Sequence, residues 1–88
     1  MKKVLIVCGN GLGSSFIVEM NVKKILKEIN KEAEVSHTDM TSAKSESADI
    51  IISAKDIAEH LGSHSATVFG LSNLLDNNKI KEILEENL

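Results

Sequence analysis

Apolar residues recur along this chain in two alternating rhythms. Val4-Leu5-Ile6-Val7 and Ile50-Ile51-Ile52 are unbroken aliphatic runs, the character of strands covered on both faces. Between them Val18, Val22, Ile25, Leu26 and Ile29 follow one another at spacings of four, three, one and three. That spacing predicts a helix over about residues 14–29 with one apolar stripe, leaving Lys23, Lys24, Lys27 and Glu28 on its other side. Ala33, Val35 and His37 alternate with polar neighbours, as an edge strand with one wet face does. Residues 39–47 carry four Ser/Thr residues and no apolar period, so they read as a connecting loop, with room for a short helical turn after Thr41.

Ser53 stands ahead of Ala54-Lys55-Asp56 and reads as an N-cap followed by acid in the first turn. The helix it would start runs through Ile57, Ala58 and Leu61 and stops at Gly62, a glycine placed for a C-terminal cap. Thr67-Val68-Phe69 is the last short strand. From Asn77 or Asn78 to Leu88, the residues Ile80, Ile83, Leu84 and Leu88 share one face, which predicts an amphipathic terminal helix capped by asparagine.

Strands alternating with helices imply parallel βαβ units. The expected fold is a small doubly wound α/β domain over residues 1–88, flavodoxin-like or Rossmann-like, with a four-stranded parallel sheet in the order 2-1-3-4. In such sheets ligands bind beyond the carboxyl ends of the strands, where the strand order reverses. The loop after the first strand lies there, and it begins with the chain's single cysteine, Cys8.

Composition narrows the function classes. Eighty-eight residues, 42% of them hydrophobic, suffice for one modest core and no second. The two aromatics are Phe16 and Phe69, the formal charge is −3, and all ten basic side chains are lysines. Without stacking platforms or a basic stripe, nucleic acid is not an expected partner. The longest aliphatic run is four residues, too short for a membrane span or a secretory signal, so a cytoplasmic location is expected. A lone cysteine cannot form an internal disulfide, and His60 and His64 have no second thiolate with which to complete a structural zinc site. No metal is expected.

Cys8 is followed by Gly9-Asn10-Gly11-Leu12-Gly13-Ser14-Ser15. A cysteine acts as its thiolate, which a helix N-terminus or a nest of amides favours. Glycines let a loop turn tightly with its N–H groups inward, and Ser14 and Ser15 add hydroxyls or cap the helix that follows. Together they read as a cradle for a phosphoryl group bound to sulfur. A cysteine at a strand end can instead be a small apolar filler, but a filler does not call for a phosphate-shaped loop beside it. The mononucleotide loop motif needs a lysine where Gly13 stands, and the dinucleotide motif needs a glycine where Ser14 stands. A cysteine phosphatase places arginine six positions after its thiol, again Ser14 here; without that bidentate clamp the chain should hydrolyse poorly.

Val-Cys-Gly-Asn-Gly-Leu-Gly-Ser-Ser, then Ala48-Asp49-Ile50-Ile51-Ile52 and Val68-Phe69-Gly70-Leu71-Ser72-Asn73, closely resembles the IIB components of the phosphoenolpyruvate-dependent sugar phosphotransferase system, in particular the ascorbate type. The galactitol and lactose or cellobiose types share the cysteine. The resemblance implies that Cys8 takes a phosphoryl group from a phosphohistidine on a IIA protein and passes it to a sugar held by a membrane IIC transporter, which is also its only membrane contact. It implies a phosphate-binding loop of Gly9, Asn10, Gly11, Leu12, Gly13, Ser14 and Ser15, with no metal or nucleotide. The alternative is a regulatory module that holds phosphate in the same loop without transferring it. His37, Asp39 and Ser53 are the nearest auxiliary candidates, though solvated loop residues or helix caps are the better reading of them. His60 and His64 read as surface histidines. Phe16, Ile17 and Met20 fit either partner docking or core packing.

Overall fold

The structure, a computed structural model, describes residues 2–7, 12–61 and 66–88, and of Leu12 to Ser15 and Met40 the backbone only. In chain order the elements are β1 Lys3–Val7, α1 Leu12–Glu28, β2 Glu34–Thr38, α2 Met40–Ala43, β3 Ile50–Ala54, α3 Lys55–His60, β4 Thr67–Leu71 and α4 Asn77–Asn87. The strands form one parallel sheet in the order β2-β1-β3-β4, as the alternation of periods predicts. Successive residues of a strand face opposite ways, so the two unbroken apolar runs feed two cores. Val4, Ile6, Ile50 and Ile52 pack on one face under Val18, Val22, Ile25 and Leu26 of α1 and Ile80, Ile83 and Leu84 of α4. Leu5, Val7 and Ile51 pack on the other under Ala43, Ile57 and Leu61.

Local chemistry sets the ends of the elements. α1 stops where Asn30 takes a left-handed backbone, φ 59°; Lys31 N–H then donates to Leu26 C=O at 2.9 Å and Asn30 N–H to Lys27 C=O at 3.3 Å, the double closure that satisfies a helix's last carbonyls. Asp49 ties the amino ends of β1 and β3, its Oδ2 accepting from Lys3 N–H at 2.8 Å.

Several boundaries differ from the sequence reading. α1 begins at Leu12, so Ser14 and Ser15 are inside its first turn and cannot cap it. Ser53 is the fourth residue of β3, and Ala54 precedes α3 without a side-chain cap: pairing with Val7 and Gly70 holds Ser53 extended and turns its side chain into the protein. Asp76, not an asparagine, caps α4, its Oδ1 accepting from Lys79 N–H at 3.2 Å. β4 continues through Gly70 to Leu71. The short turn anticipated after Thr41 starts at Met40, capped by Asp39. Gly62, the expected stop of α3, lies outside the described residues.

Candidate functional site

All four strands run the same way, so Val7, Thr38, Ala54 and Leu71 share one edge of the sheet. From β1 the chain goes to β2 on one side, then crosses to β3 on the other. The strand order therefore reverses between β1 and β3, and at their carboxyl ends the crossovers leave by opposite faces and open a crevice. Val7 and Ser53 are the register pair that flanks it. Cys8, Gly9, Asn10 and Gly11 of the sequence-predicted site, and His64, lie outside the described residues. Val7 closes β1 directly before Cys8, and Leu12 opens α1 directly after Gly11. Leu12, Gly13, Ser14 and Ser15 form the first turn of α1, where backbone N–H groups have no partner within the helix. No acidic residue stands in that turn, so the positive end of the helix dipole is uncompensated by its own side chains.

Three residues proposed as auxiliaries take three different places. Ser53 is fully buried and its Oγ has no hydrogen-bond partner among the described residues. Asp39 is exposed, and its Oδ1 accepts from Ser42 N–H at 2.7 Å; that bond, with a smaller contribution from the Ser42 side chain, holds the carboxyl below the usual aspartate value. It is a helix cap. His37 is neither a cap nor a loop residue. It stands in β2 opposite Ile6, its Nδ1 3.0 Å from Oε1 of Glu19 and its ring edge-on to Phe16 with centroids 6.4 Å apart. Glu19 also lies 3.8 Å from Lys23 Nζ. Nothing in the sequence singles out Glu19, because its partner is 18 residues away and is supplied by the strand pairing. His60 is exposed on α3, its Nδ1 3.0 Å from the Asp56 carbonyl.

Phe16, Ile17 and Met20 are 53%, 50% and 56% exposed, so core packing does not account for them. Ile17 lines a cleft of about 290 Å³ with Ala54, Leu71, Leu74 and Leu75, joining α1 to the carboxyl ends of β3 and β4. A neighbouring cleft of about 230 Å³ is bounded by Gly70, Ser72, Asn73, Asp76 and Lys79. Among the described residues no three His, Cys, Asp or Glu side chains gather as a metal site, and no helix is long and apolar enough to cross a membrane.

This edge thus combines a helix N-terminus, a buried hydroxyl without a partner among the described residues and an apolar rim, an arrangement suited to an anion presented by another molecule. Residues 3–86 match the family described as PTS system, lactose/cellobiose specific IIB subunit. The chain is 36% identical over 86 residues to an ascorbate-specific PTS system EIIB component of Mycoplasma pneumoniae, covering 94% of this chain and 90% of that one. It is 35% identical over 91 residues to the proteins of the same name from Salmonella typhimurium and Escherichia coli O157:H7, covering 96% of this chain and 90% of each. A doubly wound sheet of this order, matched from its first strand through its last helix, makes this chain a member of the IIB family of the sugar phosphotransferase system.

Proposed function

We propose that this chain is a cytoplasmic phosphocarrier of the ascorbate type and that Cys8 carries the phosphoryl group. The thiolate of Cys8 attacks the phosphorus of a phosphohistidine on a IIA protein; the S–P bond forms as the P–N bond breaks, and the imidazole leaves with the electron pair. A hydroxyl oxygen of an ascorbate-like sugar held by a membrane IIC transporter then attacks the same phosphorus. The O–P bond forms, the S–P bond breaks, the thiolate returns, and the sugar's hydroxyl proton passes to a base or water at the acceptor site.

The observation that carries this reading is the family match over residues 3–86, with relatives named as ascorbate-specific EIIB components. The placement of the chemistry rests on β1: it is a central strand, it ends at Val7, and the only cysteine of the chain comes next. The proposed cradle is Gly9 to Gly11 together with the first turn of α1, Leu12 to Ser15, whose N–H groups would stabilise charge on the transferring oxygens. Donor and acceptor are both supplied by partners, so the chain contributes positioning and electrostatics rather than acid–base catalysis. With no arginine to clamp the phosphoryl oxygens, attack by water is poorly assisted, which suits a relay.

Intact-mass measurement after incubation with phosphoenolpyruvate, the general phosphotransfer proteins and a IIA protein tests this. One phosphoryl mass should appear, map to Cys8 and vanish in Cys8→Ser. A Cys8→Ser chain that still accepts the group and passes it on would overturn the mechanism.

A further inference from the structure

Every exposed large hydrophobic side chain among the described residues belongs to one region. Phe16, Ile17 and Met20 lie on the first half of α1, and Leu75, 55% exposed, meets Ile17 in the cleft at the ends of β3 and β4. On a helix, positions 16, 20, 23, 24 and 27 follow one another at spacings of four, three, one and three and form one surface stripe. That stripe changes character along its length. Beyond Met20 it becomes Lys23, Lys24 and Lys27, which share a second cleft of about 240 Å³ with Met20 itself, and Lys31 continues it past the helix end. Glu28 and Glu32 are the exposed acids on that side, Glu32 in the same cleft as Lys23, Lys27 and Lys31; the Glu19 carboxylate is turned toward His37 and Lys23. The result is a basic, half-apolar face on a chain of net charge −3.

We propose that this face of α1, with Leu75 beside it, is the docking surface for the phosphoryl-donor protein, and that the donor meets it with an apolar centre and an acidic rim. The inference rests on the proposed function. In-line transfer between two proteins brings the phosphorus to about 3–3.5 Å from the attacking atom, so the donor must cover the carboxyl edge of the sheet around the end of β1. The first half of α1 and the Ile17–Leu75 cleft stand at that edge, and the lysines extend from it. Aromatic and methionine side chains at the centre of a contact supply most of its energy, while charges at its rim speed encounter and set orientation. A second copy of this chain is a poorer occupant, because a two-fold interface would bring the same basic patch from both sides and supply no acidic surface to meet it. Since the phosphoryl group enters and leaves through one sulfur, the acceptor must use the same edge in turn, and the two partners exclude one another.

The test is binding of the purified, unphosphorylated ascorbate-type IIA protein to the Cys8→Ser chain by isothermal titration and stopped flow, so that docking is read without transfer. Phe16→Ser and Met20→Ser should each raise Kd roughly tenfold or more. Lys24→Glu with Lys27→Glu should slow association roughly tenfold at low salt, a deficit that disappears near 1 M salt. Lys2→Glu, at the opposite edge of the sheet, should leave both unchanged. The substituted side chains are exposed, so folding should survive; circular dichroism checks this, and Ile17→Gln substitutes for any variant that fails. Wild-type binding by all the α1 variants would overturn the proposal, as would patch-dependent self-association in sedimentation, or patch-dependent recovery on phosphatidylglycerol vesicles without an effect on IIA binding. Failure of the functional reading looks different: binding intact, with no phosphoryl group on the chain that retains Cys8.

Discussion

Ser53 shows how a single side chain changes meaning between sequence and structure. Ahead of Ala54-Lys55-Asp56 it has the pattern of a helix cap, yet pairing with Val7 on one side and Gly70 on the other keeps it in β3, fully buried and with a hydroxyl that has no partner among the described residues. A buried hydroxyl without a partner forfeits its hydration and receives nothing in return. Ser53→Ala should therefore raise the unfolding free energy of the unphosphorylated chain by about 1 kcal/mol in urea titrations; a clear loss would mean that the hydroxyl is paired. Asp39 keeps the role that the sequence favours for it. Its carboxyl lies below the usual aspartate value because Ser42 N–H donates to it. A depressed carboxylate contributes stability that is full above the unfolded-state value and lost as pH falls through the folded one. Asp39→Ala should lower Tm at pH 7, with the deficit shrinking as pH drops below about 4; thermal melts across that range check it.

At the scale of elements, the aliphatic runs and the helical stripe were legible because burial on both faces of a strand, or on one side of a helix, leaves a periodic trace in the residues themselves. The end of α1 was nearly legible too, since Asn30 is a residue that tolerates the left-handed backbone. The approach of α3 to β4 left no such trace. A Cβ on Gly70 would stand 2.8 Å from the Ala58 Cβ and 3.1 Å from the Lys55 Cα, so the glycine is what lets α3 lie close over the strand. In sequence it reads only as the residue beyond a short strand. Gly70→Ala should destabilise the protein by about 1–3 kcal/mol, the ordinary cost of overpacking, because the backbone at Lys55 cannot move aside as a flexible side chain would. Chemical denaturation reads this directly.

The sheet order places the chemistry of the whole molecule. Two cores, one under α1 and α4 and one under α2 and α3, hold β1 and β3 in the middle, and the reversal between them puts the proposed site at their carboxyl ends. The strands, the main helices, the parallel alternation and the candidate thiol with its glycine-rich neighbours could be read from the residues alone, because each is written in local spacing and residue type. The order 2-1-3-4, expected of a small doubly wound sheet, is the order observed. Tertiary structure alone decided the rest: that Ser53 is buried beside Val7, that Glu19 reaches His37 across 18 residues, and that Phe16, Ile17 and Met20 face solvent beside Leu75 rather than the core. These are contacts between segments far apart in the chain, and no periodicity along one segment records which other segment the fold will lay against it.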